Sequence, residues 1–319
     1  MLLRPEPLHI PDGFLSLPVA IVGWILALIF IAIAIRQTRN QLGERQVPLM
    51  GILAAFIFAA QVINFPVAGG TSGHLLGGAL AAIVVGPWAA TLIMSAVIGV
   101  QALLFQDGGL LVMGWNIVNM GVITAFTGYA VYTLLLRIIG QSRGARIGAA
   151  FAAGWFSVQI AAMATSVELA VSGTSPLKFV LPAMVGVHLV IGIGEGLITA
   201  AAVGVIQASR PDVLIVGERT PGRRLAVFTA VGLVFALLVA LFSPLASSSP
   251  DGLERVAADI GFLALGQNPT YEIFPGYTLP FIGGEALTTI LAVMVGTIIV
   301  FGIAWFIART SVVREATGD

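Results

Sequence analysis

Cysteine is absent from this chain. That excludes disulfides, thiolate metal sites and cysteine nucleophiles. Charge is scarce: 9% of the 319 residues are Asp, Glu, Lys or Arg, where a soluble domain carries about 25%. Acidic and basic residues balance to zero net charge, so no basic surplus marks a nucleic-acid partner. No G-x-x-x-x-G-K-[ST] phosphate loop occurs, so ATP hydrolysis by that motif is excluded from this chain. No nucleophile–base pair stands out either, and an enzyme reading lacks its chemistry.

What fills the chain is apolar side chain, 58% of residues, with a mean hydropathy of +1.02. A water-soluble fold cannot hide that much apolar surface, so lipid is the natural solvent. The first apolar run is long and ends without a small-residue cleavage motif, so it reads as a span and not as a cleavable signal. Nine apolar stretches read as membrane helices: 17–35, 48–66, 72–86, 88–105, 114–136, 146–171, 179–206, 225–245 and 285–308. The third and fourth are short and meet at Gly86-Pro87. They fit a broken hairpin, or a segment that does not fully cross, which survives only under protein or beside a wet cavity.

The expected fold is therefore an all-α membrane protein, about seven transmembrane helices plus a C-terminal two-helix hairpin. The division expected is a membrane domain over 1–206, a polar Arg-rich cytoplasmic linker over 207–224, and the hairpin module with its long external loop over 225–319. With nine crossings, 12 of the 15 Lys and Arg fall on one side. Only Arg4, Lys178 and Arg255 fall on the other. The positive-inside rule then places the N-terminus outside and the C-terminus in the cytoplasm.

The three histidines are His9, His74 and His188. His9 precedes the first span, and His74 follows the glycine-rich turn AGGTSGH, so both fall on the outer side although 64 residues lie between them. Imidazole is a common ligand for late first-row transition metals. Two imidazoles alone make a weak site, and the competing reading of each is a polar anchor at the interface. His188 and Glu195 lie two turns apart on one helix face. Ionisable groups within a span are functional candidates. The plainer role is helix packing, helped by Gly192, Gly194 and Gly196. Asn116 and Asn119 share a face and serve either as interhelical glue or as partners orienting a ligand imidazole. Asp107 begins an external DGG turn. Glu168 is expected near the outer interface.

The motifs HIPDGFLS (9–16), GTSGHLLGG (70–78), DGG with NIVNMG (107–121) and HLVIGIGEGLIT (188–199) together resemble the CbiM/NikM family. These are the substrate-binding membrane components of energy-coupling-factor cobalt and nickel transporters. The run SPLASSSPDGLERVA (243–257) resembles the small CbiN/NikN component, as if the two were fused. The resemblance implies a nearly square-planar nitrogen site for Co(II) or Ni(II), open to the outside of the cell membrane. Its ligands would be an N-terminal amine, the backbone nitrogen and imidazole of the first His, and a second His. The two imidazoles map onto His9 and His74. It also implies separate ATPase subunits and a transmembrane coupling subunit as partners, and an association with cobalamin synthesis.

Family members typically begin Met-His, whereas seven residues precede Leu8 here. Three readings compete: initiation at codon eight, proteolysis exposing Leu8, or an internal amide with another ligand. A membrane enzyme of cobalamin synthesis and a proton-coupled secondary metal transporter using His188 and Glu195 are the alternatives to a capture component.

Overall fold

The computed structural model describes residues 9–39, 43, 46–209, 222–269 and 271–311. The question of the true start, and most of the expected linker, lie outside the described residues. The long helices are α1 (Leu17–Arg39), α2 (Gln46–Gln61), α4 (Pro87–Phe105), α5 (Met113–Ile139), α6 (Arg143–Val171), α7 (Leu177–Ser209), α8 (Gly222–Ala240) and α10 (Glu285–Ser311). Among the described residues seven helices are long and apolar enough to cross a membrane, and α2 is a shorter apolar one. The chain is an all-α membrane protein.

The helices are inside-out compared with soluble ones. On α1 the buried positions are Ala20, Gly23, Ala27, Ala34 and Thr38, while Ile21, Ile25, Leu28 and Ile29 face outward. Small residues let backbones approach, and large apolar ones meet lipid. Gly23 lies directly beneath the indole of Trp115, whose Nε1 donates to the Val19 carbonyl at 2.6 Å. Helices α6 and α7 form a long antiparallel pair. A Cβ at Gly192 would stand 3.0 Å from Trp155 and Gln159, and one at Gly196 would stand 2.8 Å from Phe151. The glycine-rich stretch of α7 thus serves close packing.

The expected span at 72–86 is not a helix along its length. Residues Phe65–Val67 (β1) and Thr71–Gly73 (β2) form a small antiparallel hairpin. An extended turn carrying His74 follows, and then α3, only Gly78–Val85. Eight helical residues reach about 12 Å, well short of a bilayer core. This segment survives because α4, α5, α6 and α7 surround it and its residues are buried, as irregular backbone at depth requires. Glu195 of α7 fixes the chain just before α3. Its carboxylate accepts the N–H groups of Leu76 and Gly77 at 2.6 and 3.0 Å.

The C-terminal hairpin does not stand apart. Both α8 and α10 pack on α2, and α10 also touches α4. Phe56 stacks on Phe235 at 5.9 Å, and Gly296 sits against the rings of Phe58 and Phe105. This enclosure lets a helix as short as α2 be buried on nearly every side. The loop between α8 and α10 carries the short helix α9 (Gly252–Ile260) and is pinned along its course. Ser247 donates its N–H to the Asn64 carbonyl, Gln267 to that of Asp12 and Phe274 to that of Leu104.

A Cβ at Gly296 would stand 2.8 Å from Phe105 and closer still to Phe58, whereas one at Gly302 meets nothing within 4 Å. Gly296→Val should therefore cost about 1–3 kcal/mol by overpacking. Thermal unfolding of detergent-solubilised protein should show a lowered midpoint for Gly296→Val and an unchanged one for Gly302→Val.

Candidate metal centre

The segment before α1 is held by backbone groups, and these place His9. Asp12 accepts the N–H groups of Leu110, Leu111 and Val112 at 3.1, 2.9 and 3.2 Å. Asn116 pairs with Ile10 in both directions: its Oδ1 accepts the Ile10 N–H at 3.2 Å and its Nδ2 donates to the Ile10 carbonyl at 3.1 Å. Gly109 donates to the same carbonyl at 2.9 Å. Gly108 makes this fit possible. Its φ is +94°, and a Cβ there would crowd Asn116 at 2.9 Å and His9 at 3.0 Å. Asn116 thus fixes the backbone next to His9.

His9 and His74 come together. Their ring centroids are 5.6 Å apart at an interplanar angle of 74°, and both side chains are buried. They line a cavity of about 80 Å³ together with Asn116, Asn119, His188 and Asp251. The Nδ1 of His9 lies 3.3 Å from the Asp107 carbonyl and 3.4 Å from its Oδ1. The Nδ1 of His74 lies 3.0 Å from the Leu75 carbonyl, and that of His188 2.7 Å from the Met184 carbonyl. Carbonyl and carboxylate oxygens only accept, so these contacts are hydrogen bonds in the tautomer that carries its proton on Nδ1. Among the described residues, no three His, Cys, Asp or Glu side chains form a group that would hold a metal ion.

The other expected residues divide. Asn119 donates to Thr165 at 3.2 Å and to Glu168 at 3.0 Å, joining α5 to α6. Glu168, near the end of α6 as expected, is buried, and Asn119 gives its carboxyl a partner there. His188 lines the cavity, while Glu195, two turns on, serves the start of α3. The two share a helix but not a hydrogen bond, each being turned to a different backbone.

Several contributors escaped the sequence reading. The Pro250-Asp251-Gly252 turn, in the loop between α8 and α10, lines the cavity with Asp251 and Gly252. Thr71 and Ser72 seat it: the Pro250 carbonyl accepts the Ser72 N–H at 2.8 Å and the Thr71 hydroxyl at 2.9 Å. Gly252 lies so close to α7 that a Cβ would stand 2.6 Å from Ile191 and 2.9 Å from the His188 ring. Asp251 caps α9 by accepting the Glu254 N–H at 2.7 Å. Its carboxyl is pushed up to about 8, first by burial, with the charges of Glu254 and Asp107 adding to the effect. Tyr277, from the same loop, donates its hydroxyl to Asp107 Oδ2 at 2.5 Å. Burial first, and the Asp107 charge second, hold that phenol well above its ordinary range, so it stays protonated. One signal was available: the chain contains Pro-Asp-Gly twice, at 11–13 and 250–252; the first directly follows the lining residues His9 and Ile10, and the second supplies Asp251 and Gly252 to the lining.

Comparison with known proteins bears on this arrangement. A family model described as CbiM, cobalt uptake substrate-specific transmembrane region, matches residues 9–213. The chain belongs to the CbiM family. A second model, the PDGLE domain, matches residues 226–312 and takes in the turn just described. A putative fused nickel transport protein of Archaeoglobus fulgidus is 40% identical over 306 residues, covering 95% of this chain and 98% of that protein. The fused nickel transport protein of Rhodobacter capsulatus is 33% identical over 248 residues, covering 72% and 71% of the two chains. The crystal structure of a truncated transition metal transporter, 33% identical, superposes with a TM-score of 0.57 over 63% of this chain and 98% of its own. The chain is thus a CbiM region joined to a C-terminal CbiN/NikN-like module.

Two outcomes are expected from the local chemistry. Glu195→Ala strips two N–H groups of their acceptor and should cost about 2 kcal/mol or more, read as a lowered unfolding midpoint. The raised Asp251 value means the fold binds that proton more tightly than the unfolded chain, whose ordinary value is 3.8. Its contribution is complete below the unfolded value and fades as pH climbs through about 8. Hydrogen exchange at the Ser72 amide should therefore quicken from about pH 5 to 8 beyond the intrinsic rate, and Asp251→Asn should flatten that excess.

Proposed function

We propose that this chain captures Co(II) or Ni(II) at the outer face of the cell membrane and delivers it inward as one component of an energy-coupling-factor transporter. The observation that carries the reading is the meeting of His9 and His74 in one small buried cavity of a CbiM-family chain. The metal is cargo, bound by the two imidazoles and by nitrogens of the N-terminal segment. Such a set suits late transition ions and disfavours Mg(II) and Ca(II). The names of the fused relatives, nickel transport proteins, agree with this cargo.

The proposed orientation follows from where charge sits. His9, the His74 turn, the turn before α5 and the Asp251 loop share one end of the bundle. Arg36 and Arg39 close α1, Arg137 lies in the last turn of α5, Arg143 opens α6 and Arg309 lies in the last turn of α10. Those helix ends are opposite the cavity, which supports a cytoplasmic side there and an outer site. In this reading residues 1–206 capture metal, 207–224 link the modules in the cytoplasm, and 225–319 supply the loop that covers the cavity. ATP hydrolysis belongs to separate subunits, joined through a transmembrane coupling subunit. The proton-coupled alternative finds little support. The Glu195 carboxylate is engaged by Leu76 and Gly77, and His188 Nδ1 by the Met184 carbonyl.

Purified full-length protein titrated with Co(II) and Ni(II) tests the site. His9→Ala and His74→Ala should each weaken binding by 10-fold or more, on the order of what one lost imidazole costs a metal site, while His188→Ala should retain binding. In proteoliposomes, metal entry should need the partner ATPases and ATP. Entry driven by this chain alone under a pH gradient would overturn the assignment.

A further inference from the structure

The loop between α8 and α10 brings a charge to the cavity that His9 and His74 share. Asp251 is the one carboxylate among the described residues that line it, and none of them is Lys or Arg. The other polar side chains of the lining are imidazoles, the amides of Asn116 and Asn119, and the Thr165 hydroxyl. Asp251 is buried, and its place is set from three sides. Pro250, next to it, is seated on Thr71 and Ser72, just before His74. Gly252, on its other side, lies so near the His188 ring that a Cβ would stand 2.9 Å away. Asp251 Oδ1 accepts the Glu254 N–H at 2.7 Å. The cation of the same turn is directed elsewhere: Arg255 donates to Asp259 at 2.8 Å and to the Gly69 carbonyl at 3.0 Å, both exposed contacts. A divalent ion in a small buried space is stable only with opposite charge close by. Burial and the charges of Glu254 and Asp107 make a carboxylate at 251 unfavourable over an empty cavity. A cation in the cavity reverses that balance.

We propose that Asp251 is the counter-charge for the captured cation, carried into the cavity by the C-terminal module. Its carboxylate attracts the divalent ion across the cavity and is not one of the nitrogen ligands. Cargo affinity and the seating of the loop are then a single coupling. Asp251 lies in the cavity only while Pro250 is seated on Ser72. Whatever factor the carboxylate adds to cargo affinity, the cargo therefore adds to the seating of the loop. The loop closes more firmly over a filled cavity than over an empty one. This inference rests on the reading that Co(II) or Ni(II) occupies the cavity, and the test separates the two claims.

Full-length protein carrying Asp251→Asn, Asp251→Glu, Asp259→Asn or His74→Ala is titrated with Co(II). Hydrogen exchange of the segment holding Ser72 is followed with and without saturating Co(II). A helix cap and a counter-charge predict opposite orders. Asn caps as well as Asp, and Glu is not among the favoured caps, so a role confined to the cap spares Asp251→Asn and harms Asp251→Glu. As a counter-charge, Asp251→Asn should weaken Co(II) binding about 10-fold, the size such couplings reach, while Asp251→Glu keeps most of the affinity. Asp259→Asn removes an exposed carboxylate of the same helix and should bind as wild type does. Co(II) should slow exchange at Ser72 about 10-fold more in wild type than in Asp251→Asn, by the same linkage. Wild-type affinity in Asp251→Asn, a loss no larger than that of Asp259→Asn, an equal loss in Asp251→Glu, or the same slowing of exchange in wild type and Asp251→Asn would each overturn the proposal. Loss of binding in His74→Ala alongside an unaltered Asp251→Asn would leave the capture reading standing and sink the counter-charge alone. Intact binding in His74→Ala, or no Co(II) binding by wild type, would sink both.

Discussion

The carboxylate of Asp12, receiving three successive backbone N–H groups at the start of α5, is the contact on which the cavity end of this molecule depends. An apolar solvent leaves no unpaired N–H or carbonyl without cost, so a non-helical strand beside a bilayer needs every polar group answered. Asp12 answers the open end of α5, Asn116 answers Ile10, and the Gln267 N–H answers the Asp12 carbonyl. His9 is buried because its neighbours are held in this way. Much the same constraint acts at the other imidazole, where Glu195 closes the start of α3 and fixes the chain just after His74.

These two fixings explain how a site forms from residues far apart in the chain. Neither histidine sits on a regular element: one precedes α1 and the other lies between β2 and α3. Rigidity comes from long helices behind them. Asn116 and the bond between Asn119 and Glu168 project from α5, and Glu195 from α7. The stretch of α5 holding Asn119 is wound as a π-helix over Val118–Ile123, a local change of pitch often found at functional sites. The loop between α8 and α10 then lies across the cavity, held chiefly by main-chain bonds through Pro250, Gln267 and Phe274.

Much of this was legible in the sequence, and the failures have physical causes. Apolar runs of about 20 residues announce spans because bilayer thickness fixes their length, so α1, α4, α6, α7 and α10 were readable. The segment 72–86 was not, because hydropathy records only that a stretch avoids water. It cannot tell a lipid-exposed helix from a hairpin and a short helix wrapped by protein. The burial of Glu168 was hidden for a similar reason: its partner, Asn119, lies on another helix. His9 and His74 were legible as residues on one face. Tyr277 and Asp251 were not, since nothing local in a loop announces which distant backbone it will meet.

The joining of both modules in one polypeptide has a consequence for how the cavity is covered. A loop carried on a separate chain would find its seat at Thr71 and Ser72 only as often as the two proteins meet. Here α8 and α10 lie against α2 of the same molecule, so each cavity owns one cover, in a fixed ratio of one to one. Tethering of this kind replaces encounter by an effective local concentration in the millimolar range, and the cover's residence becomes independent of how many copies the membrane holds.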